Sequence, residues 1–241
     1  MIIAQPELIE HTPLGVLRGF EVAAVLVWLF GAYLVYRFGA TKFLLGIYAG
    51  TTAWFMWDWI FTDEWFLNLS YDRRSLLLFT LDGRPEPLWS PMSYGFFFGI
   101  AALIFLRYEH TFRRVLGRYI VVAFPVAMAL FDLVVEGFIV SVLDIYQYGY
   151  RDEWKIWGIP YTNMVWVILI QALMVLTYSV YAKQQHSRHI LAVHGDPTFR
   201  ESERTEESWL VAVLTFSVAA AAVYVGTTVI AFVLSAIDPW T

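Results

Sequence analysis

Phe131-Asp132-Leu133-Val134-Val135-Glu136-Gly137 lies inside the apolar run Tyr119 to Leu143, so two carboxyls sit in the middle of a segment that otherwise reads as a membrane-spanning helix. An acid at the centre of such a helix costs roughly 2.5 to 3.5 kcal/mol on insertion scales, and two of them demand a compensating role in structure or chemistry. Asp132 and Glu136 are four residues apart, so both leave a helix on the same face, about one turn from each other. The rest of the chain decides what that paired acidic face belongs to.

The 241 residues are 59% apolar and 18% aromatic, above the roughly 45 to 50% apolar content of soluble domains. Apolar runs fall at about 19–36, 43–61, 92–106, 119–143, 161–181 and 209–237, and a bilayer crossing needs roughly 17 to 25 such residues. Six spans are expected, the third being the shortest. Runs of this length exceed barrel strands, and lipid forces backbone groups to pair within each segment, so the expected architecture is an all-α, polytopic transmembrane bundle in one domain. The net charge of −5 gives no reason to expect nucleic acid as a partner. Cysteine is absent, which excludes disulfides, thiol catalysis and thiolate metal sites. The N-terminal stretch lacks the basic region of a secretory signal, so the first span is read as retained.

Lys and Arg set the orientation, because cytoplasmic loops are enriched in them. With the N-terminus outside, ten of the sixteen basic residues fall on inner loops, among them Arg37, Lys42, Arg107, Arg113, Arg114, Arg118 and Lys183. The expected location is therefore the cell membrane, multi-pass, with both termini on the non-cytoplasmic side. Asp132 then lies near the midplane with Glu136 a turn closer to the outer face, and Asp58 of Trp54-Phe55-Met56-Trp57-Asp58-Trp59 reaches the same outer half. The outer connection 62–90 carries Asp82-Gly83-Arg84-Pro85-Glu86-Pro87, whose prolines and glycine forbid a regular helix and predict a turn-rich cap. The second outer connection, 144–160, carries Tyr146-Gln147-Tyr148 and leads into Gly158-Ile159-Pro160-Tyr161-Thr162-Asn163.

Burial of two neighbouring carboxyls predicts that one stays protonated beside an ionised partner, which places an acid and a base side by side. The alternative is that they only join helices by accepting hydrogen bonds. Asp58, Glu86, Tyr146, Tyr148 and Asn163 are candidates for the polar end of a pocket, and Trp54, Trp57, Trp59 and Phe138 for its walls, although interfacial aromatic residues also occur simply as anchors. His186, His189 and His194 lack the further ligands of a metal set. No phosphate loop, dinucleotide fingerprint or nucleophile elbow occurs. The chemistry left is acid–base catalysis with no cofactor and no metal.

Asp132-Leu133-Val134-Val135-Glu136-Gly137, followed by Tyr146-Gln147-Tyr148-Gly149, resembles the signature of the AveC-like spirocyclases, with Trp57-Asp58 and Glu86-Pro87 similar in order. That resemblance implies closure of a dihydroxy-ketone or hemiketal to a spiroketal with loss of water, Glu136 serving as general acid and Asp132 orienting it or acting as base, or the reverse. Gly158 to Asn163 instead looks like a segment of membrane carotenoid hydratases, which implies acid-promoted addition of water to a polyene. Either resemblance implies a hydrophobic polyketide, terpenoid or steroid-like substrate drawn from the lipid bilayer. A non-enzymatic lipid-binding protein and a proton-coupled transporter are the readings from other classes.

Overall fold

Pro13 stands at the N-cap of the first helix, α1 (Leu14–Leu34), where a residue without a backbone N–H does least harm; a π-helical turn, Val35–Gly39, continues it. The computed structural model describes residues 12–39, 41–53, 69–81, 84–149, 151–194 and 210–219, with 221 and 229. Thr41 caps α2 (Lys42–Thr52) by accepting the Leu44 N–H at 3.1 Å. Three short strands follow, β1 (Leu69–Tyr71), β2 (Leu77–Leu81) and β3 (Arg84–Pro87), before α3 (Trp89–Leu116). A 3₁₀ turn at Gly117–Tyr119 leads into α4 (Ile120–Ser141). After it come β4 (Tyr146–Tyr148), β5 (Lys155–Ile156), β6 (Ile159–Pro160), α5 (Tyr161–His194) and the apolar helix α6 (Leu210–Ala219).

The chain is mostly helical, and among the described residues three helical stretches are long and apolar enough to cross a membrane: Leu14–Phe38, Trp89–Ser141 and Tyr161–Lys183. Their outward faces carry Val22, Leu26 and Phe30 on α1, Val122, Leu130 and Val134 on α4, and Leu176 and Val180 on α5, all exposed. An apolar belt of this extent is a lipid-facing surface, not a water-facing one.

The 53-residue stretch Trp89–Ser141 is not one rod, which would run to about 80 Å. Gly117 adopts φ +53°, a left-handed conformation open to glycine, and reverses the chain between α3 and α4. The ring pairs Phe97–Phe131 and Phe105–Phe124 run in opposite sequence directions, so the two helices form an antiparallel hairpin. The third apolar run, expected to be the shortest, is thus a 28-residue helix, because Arg107, Glu109, Arg113 and Arg114 extend its last turns beyond the apolar part. Strong helix formers do not end a helix merely by being charged.

Small residues bring the helices together. Gly95 and Gly99 of α3 meet Thr52 and Tyr48 of α2, and Gly46 and Gly50 of α2 meet Thr215, Ala212 and Phe216 of α6. Each pair has the small-xxx-small spacing that lets membrane helices approach closely. The dry half of the core lies beside these contacts, where Phe43 stacks on Tyr181 with centroids 4.0 Å apart and Phe105 and Tyr178 are fully buried.

The helical expectation needs one amendment. The connections 62–90 and 144–160 carry small antiparallel sheets: β2 with β3, β5 with β6, and β1 with β4, the last joining the two connections in the register Leu69↔Tyr148 and Tyr71↔Tyr146. The prolines of the cap thus end helix without excluding strand. Trp157 and Gly158, at φ +50° and +76°, form the two-residue turn between β5 and β6.

Candidate functional site

The acidic face predicted from the four-residue spacing is present on α4, and it opens on a cavity of about 410 Å³, within the range of small-molecule pockets. Phe20 to Val27 of α1, Trp89 to Phe98 of α3, Asn163 to Val167 of α5 and the strand pair β1–β4 complete its walls. Phe131, Asp132, Val135, Glu136 and Ile139 make up the α4 stripe. No Lys, Arg or His is among the described residues that line it.

Glu136 is the centre of the polar end. Its Oε1 accepts the Tyr146 hydroxyl at 2.5 Å and the Tyr148 hydroxyl in a short hydrogen bond, and its Oε2 accepts the Asn163 side-chain amide at 2.6 Å. Each donor arrives from a different constraint. The two tyrosines are i and i+2 on β4, and a strand sends alternate side chains to one face, so both phenols point into the bundle while Gln147 between them bonds Asp144. Asn163 sits in the first turn of α5, which begins directly after β6. Asp132, one helical turn before Glu136, lines the cavity beside it.

Burial, and then the adjacent Glu136 carboxyl, push both the Tyr146 and Tyr148 phenols well above the ordinary tyrosine range. They therefore remain O–H donors at any physiological pH. Tyr146 is held from its other side by Trp89, stacked at 5.3 Å, and by Tyr71 at 6.1 Å. Gly137 lets the β5–β6 turn come close: a Cβ there would lie 3.1 Å from the Trp157 ring. Ser141 fastens the same turn by donating to the Trp157 carbonyl at 2.7 Å.

A second group of charges, unforeseen in the sequence reading, fixes this end of the molecule. Fully buried Asp72 receives the Arg74 backbone N–H and Nε at 2.9 Å and a guanidinium nitrogen at 2.5 Å. Arg74 also donates to the Thr12 carbonyl at 2.6 Å. Buried Glu21 of α1 takes Arg18 at 2.5 Å and the Leu76 backbone N–H at 2.6 Å. The Arg74 guanidinium holds the Asp72 carboxyl below the usual aspartate range. These contacts tie the turn after β1 to α1, and β1 in turn carries β4. The available signal was an acid at position 21 inside an apolar run, with Arg18 three residues before it.

The other expected site residues fall in different places. Glu86 is buried on β3 and does not line the cavity. Phe138 does not form a wall; it is 52% exposed on the outer face of α4. Two residues beyond Glu136 means a rotation of about 200° around a helix, so Phe131 and Val135 take the place expected of it. Asp58, Trp54, Trp57 and Trp59 lie outside the described residues, as do the side chains of His186, His189 and His194. Aromatic walls come instead from Phe20, Trp89, Tyr94, Phe97 and Trp166.

No protein-family model matches the chain, and no curated protein or solved structure matches it either. The functional reading rests on the geometry of the site.

Proposed function

We propose that this protein is an integral membrane hydro-lyase or cyclase that uses Asp132 and Glu136 for cofactor-free acid–base chemistry on a hydrophobic molecule, in the manner of the AveC-like spirocyclases it resembles. The observation that carries the reading is the carboxyl pair at the end of an aromatic-lined cavity, where the donors to Glu136 among the described residues are all neutral. A carboxylate paired with arginine is committed to that partner, whereas one held by phenol and amide groups is free to exchange a proton with a bound molecule.

The roles follow from the donor inventory. Glu136 accepts at both oxygens from three donors, so it is assigned as the ionised carboxyl and its neighbour Asp132 as the protonated one. In a spiroketal closure, Asp132 protonates the hemiketal hydroxyl, which leaves as water. The second hydroxyl attacks the resulting oxocarbenium carbon and gives its proton to the carboxylate pair. One water is lost and the pair regains its starting charge. In the hydratase variant the protonated carboxyl gives its proton to one carbon of a double bond, water attacks the resulting carbocation, and the carboxylate pair takes the proton that the added water gives up.

The full membrane arrangement belongs to the same proposal: six passes through the cell membrane, with α1, the α3–α4 hairpin and α5 joined by spans that begin at α2 and α6, and both termini outside. The test compares lipid extracts of a deletion strain complemented with the parent gene or with Glu136→Gln. The reading expects a species differing from the parent's product by one water to accumulate in the deletion and with the variant. Full conversion by Glu136→Gln, which keeps hydrogen bonding but cannot take up a proton, sinks it.

A further inference from the structure

The cavity is walled by α1 and α4, yet these two helices are not packed against each other: α1 packs on α3, and α4 on α5. The residues that edge this gap belong to the cavity and to the outer surface at once. Val27 of α1 is 42% exposed, and Phe131 and Val135 of α4 are 51% and 42% exposed, while all three line the cavity. Ala23, also a lining residue, is exposed beside Val27 on the same helix face. Every one of these side chains is apolar, and they continue without a break into the lipid-facing belt of Val22, Leu26 and Val134.

We infer that the gap between α1 and α4 is a lateral portal through which the ligand's polar end enters from the bilayer while its apolar remainder stays in lipid. Two observations converge on this. The Phe131–Val135 stripe lies one residue, about 100° of helix rotation, from the Asp132–Glu136 stripe, so a group that passes the rim meets the carboxyls at once. The opposite approach is closed by the β1–β4 pair and its arginine clamp, with Leu69, Tyr71, Tyr146 and Tyr148 all buried.

The ligand class is therefore a bilayer-resident molecule with one oxygen-bearing end, which hydrogen-bonds the carboxyl pair, and an apolar body that passes through the gap into lipid. The inference rests on the proposed function only in taking that pair as the polar end of the site.

Two photoreactive long-chain primary alcohols test it on purified protein in lipid nanodiscs, one with a diazirine three carbons from the hydroxyl and one with the diazirine at the far end of the chain. The first probe is expected to label the interior, at Trp89, Phe98 or Trp166, and the second the rim, at Val27, Phe131 or Val135. Ala23→Trp combined with Val135→Trp is expected to lower interior labelling at least tenfold, while Val134→Trp, on the outer face of the same helix turn, leaves it unchanged. Thermal unfolding of each variant confirms that it is folded. Equal labelling of the outer belt by both probes, or interior labelling that survives the double tryptophan variant, overturns the portal. Glu136→Gln separates the two ideas: depth-dependent labelling in that variant, with conversion intact, would uphold the portal and remove the proton-transfer reading.

Discussion

Two groups of carboxyls lie at one end of this bundle, one buried and the other half-buried at the cavity wall, and they have different partners. Asp72 and Glu21 are each held by a guanidinium, Arg74 and Arg18. Glu136 is held by two phenols and an amide, with a second carboxyl as its neighbour. The charged partner satisfies the first group and fixes a loop. Neutral partners leave the second group uncommitted to a counter-ion, the condition that the proposed proton exchange needs. Tyr71 links them: it follows Ser70 on β1, precedes Asp72, and packs against Tyr146. Burial of an acid therefore does not by itself mark a reactive site; the identity of the donor does.

The comparison is broken most directly by changing the central carboxyl. Glu136→Gln is expected to lower turnover at least about 10²-fold, the usual scale for removing a positioned acid or base, with thermal unfolding little changed. In the clamp the balance should invert. Arg74→Met leaves the buried Asp72 carboxyl, among the described residues, with the backbone N–H of residue 74 and is expected to cost on the order of 2 kcal/mol, read as a lower unfolding temperature and faster proteolysis within 69–88. Parent-like stability in Arg74→Met would show that the clamp holds nothing.

Acid sharpens the same contrast. The folded value of Asp72 is depressed, so its stabilisation is fully present above the unfolded aspartate value, about 3.9, and is lost as pH falls through the lower folded value. Unfolding measured from pH 5 to pH 2 should show this loss in the parent and not in Asp72→Asn, which starts lower and lacks that titration. Smaller still, Tyr146→Phe and Tyr148→Phe are each expected to lower turnover about tenfold, near 1.4 kcal/mol, by removing one donor from Glu136. If neither matters, the hydroxyls do not stabilise the reacting carboxylate.

The smallest effect is expected in the dry half. Gln171 is fully buried, and both its amide atoms lack a hydrogen-bond partner among the described residues. Gln171→Leu is therefore expected to stabilise the protein by about 1 kcal/mol, measured by thermal unfolding in detergent. Destabilisation would mean that this amide has a polar partner in the membrane-embedded protein.

Much of the site was readable along the chain because its spacings are local. Four residues on a helix place Asp132 and Glu136 together, and two on a strand place Tyr146 and Tyr148 together. Phe138 was misjudged because proximity in sequence was taken for proximity on the helix face. Glu86 drew attention as an acid between prolines, and it is buried in the β2–β3 hairpin, apart from the cavity.

What the sequence by itself determined is the helical, lipid-facing character of the chain and the internal geometry of each motif, since apolar run length and side-chain period act within a single segment. Tertiary structure alone decided that Tyr146 and Tyr148 meet Glu136, that Asn163 closes the set from α5, that Asp72 and Glu21 belong to a clamp, and that α1 and α4 stand apart. Those outcomes depend on how segments distant in sequence pack in three dimensions, through the strand register of β1 on β4 and the close glycine contacts of α2 with α3 and α6, and no periodicity within one segment encodes them.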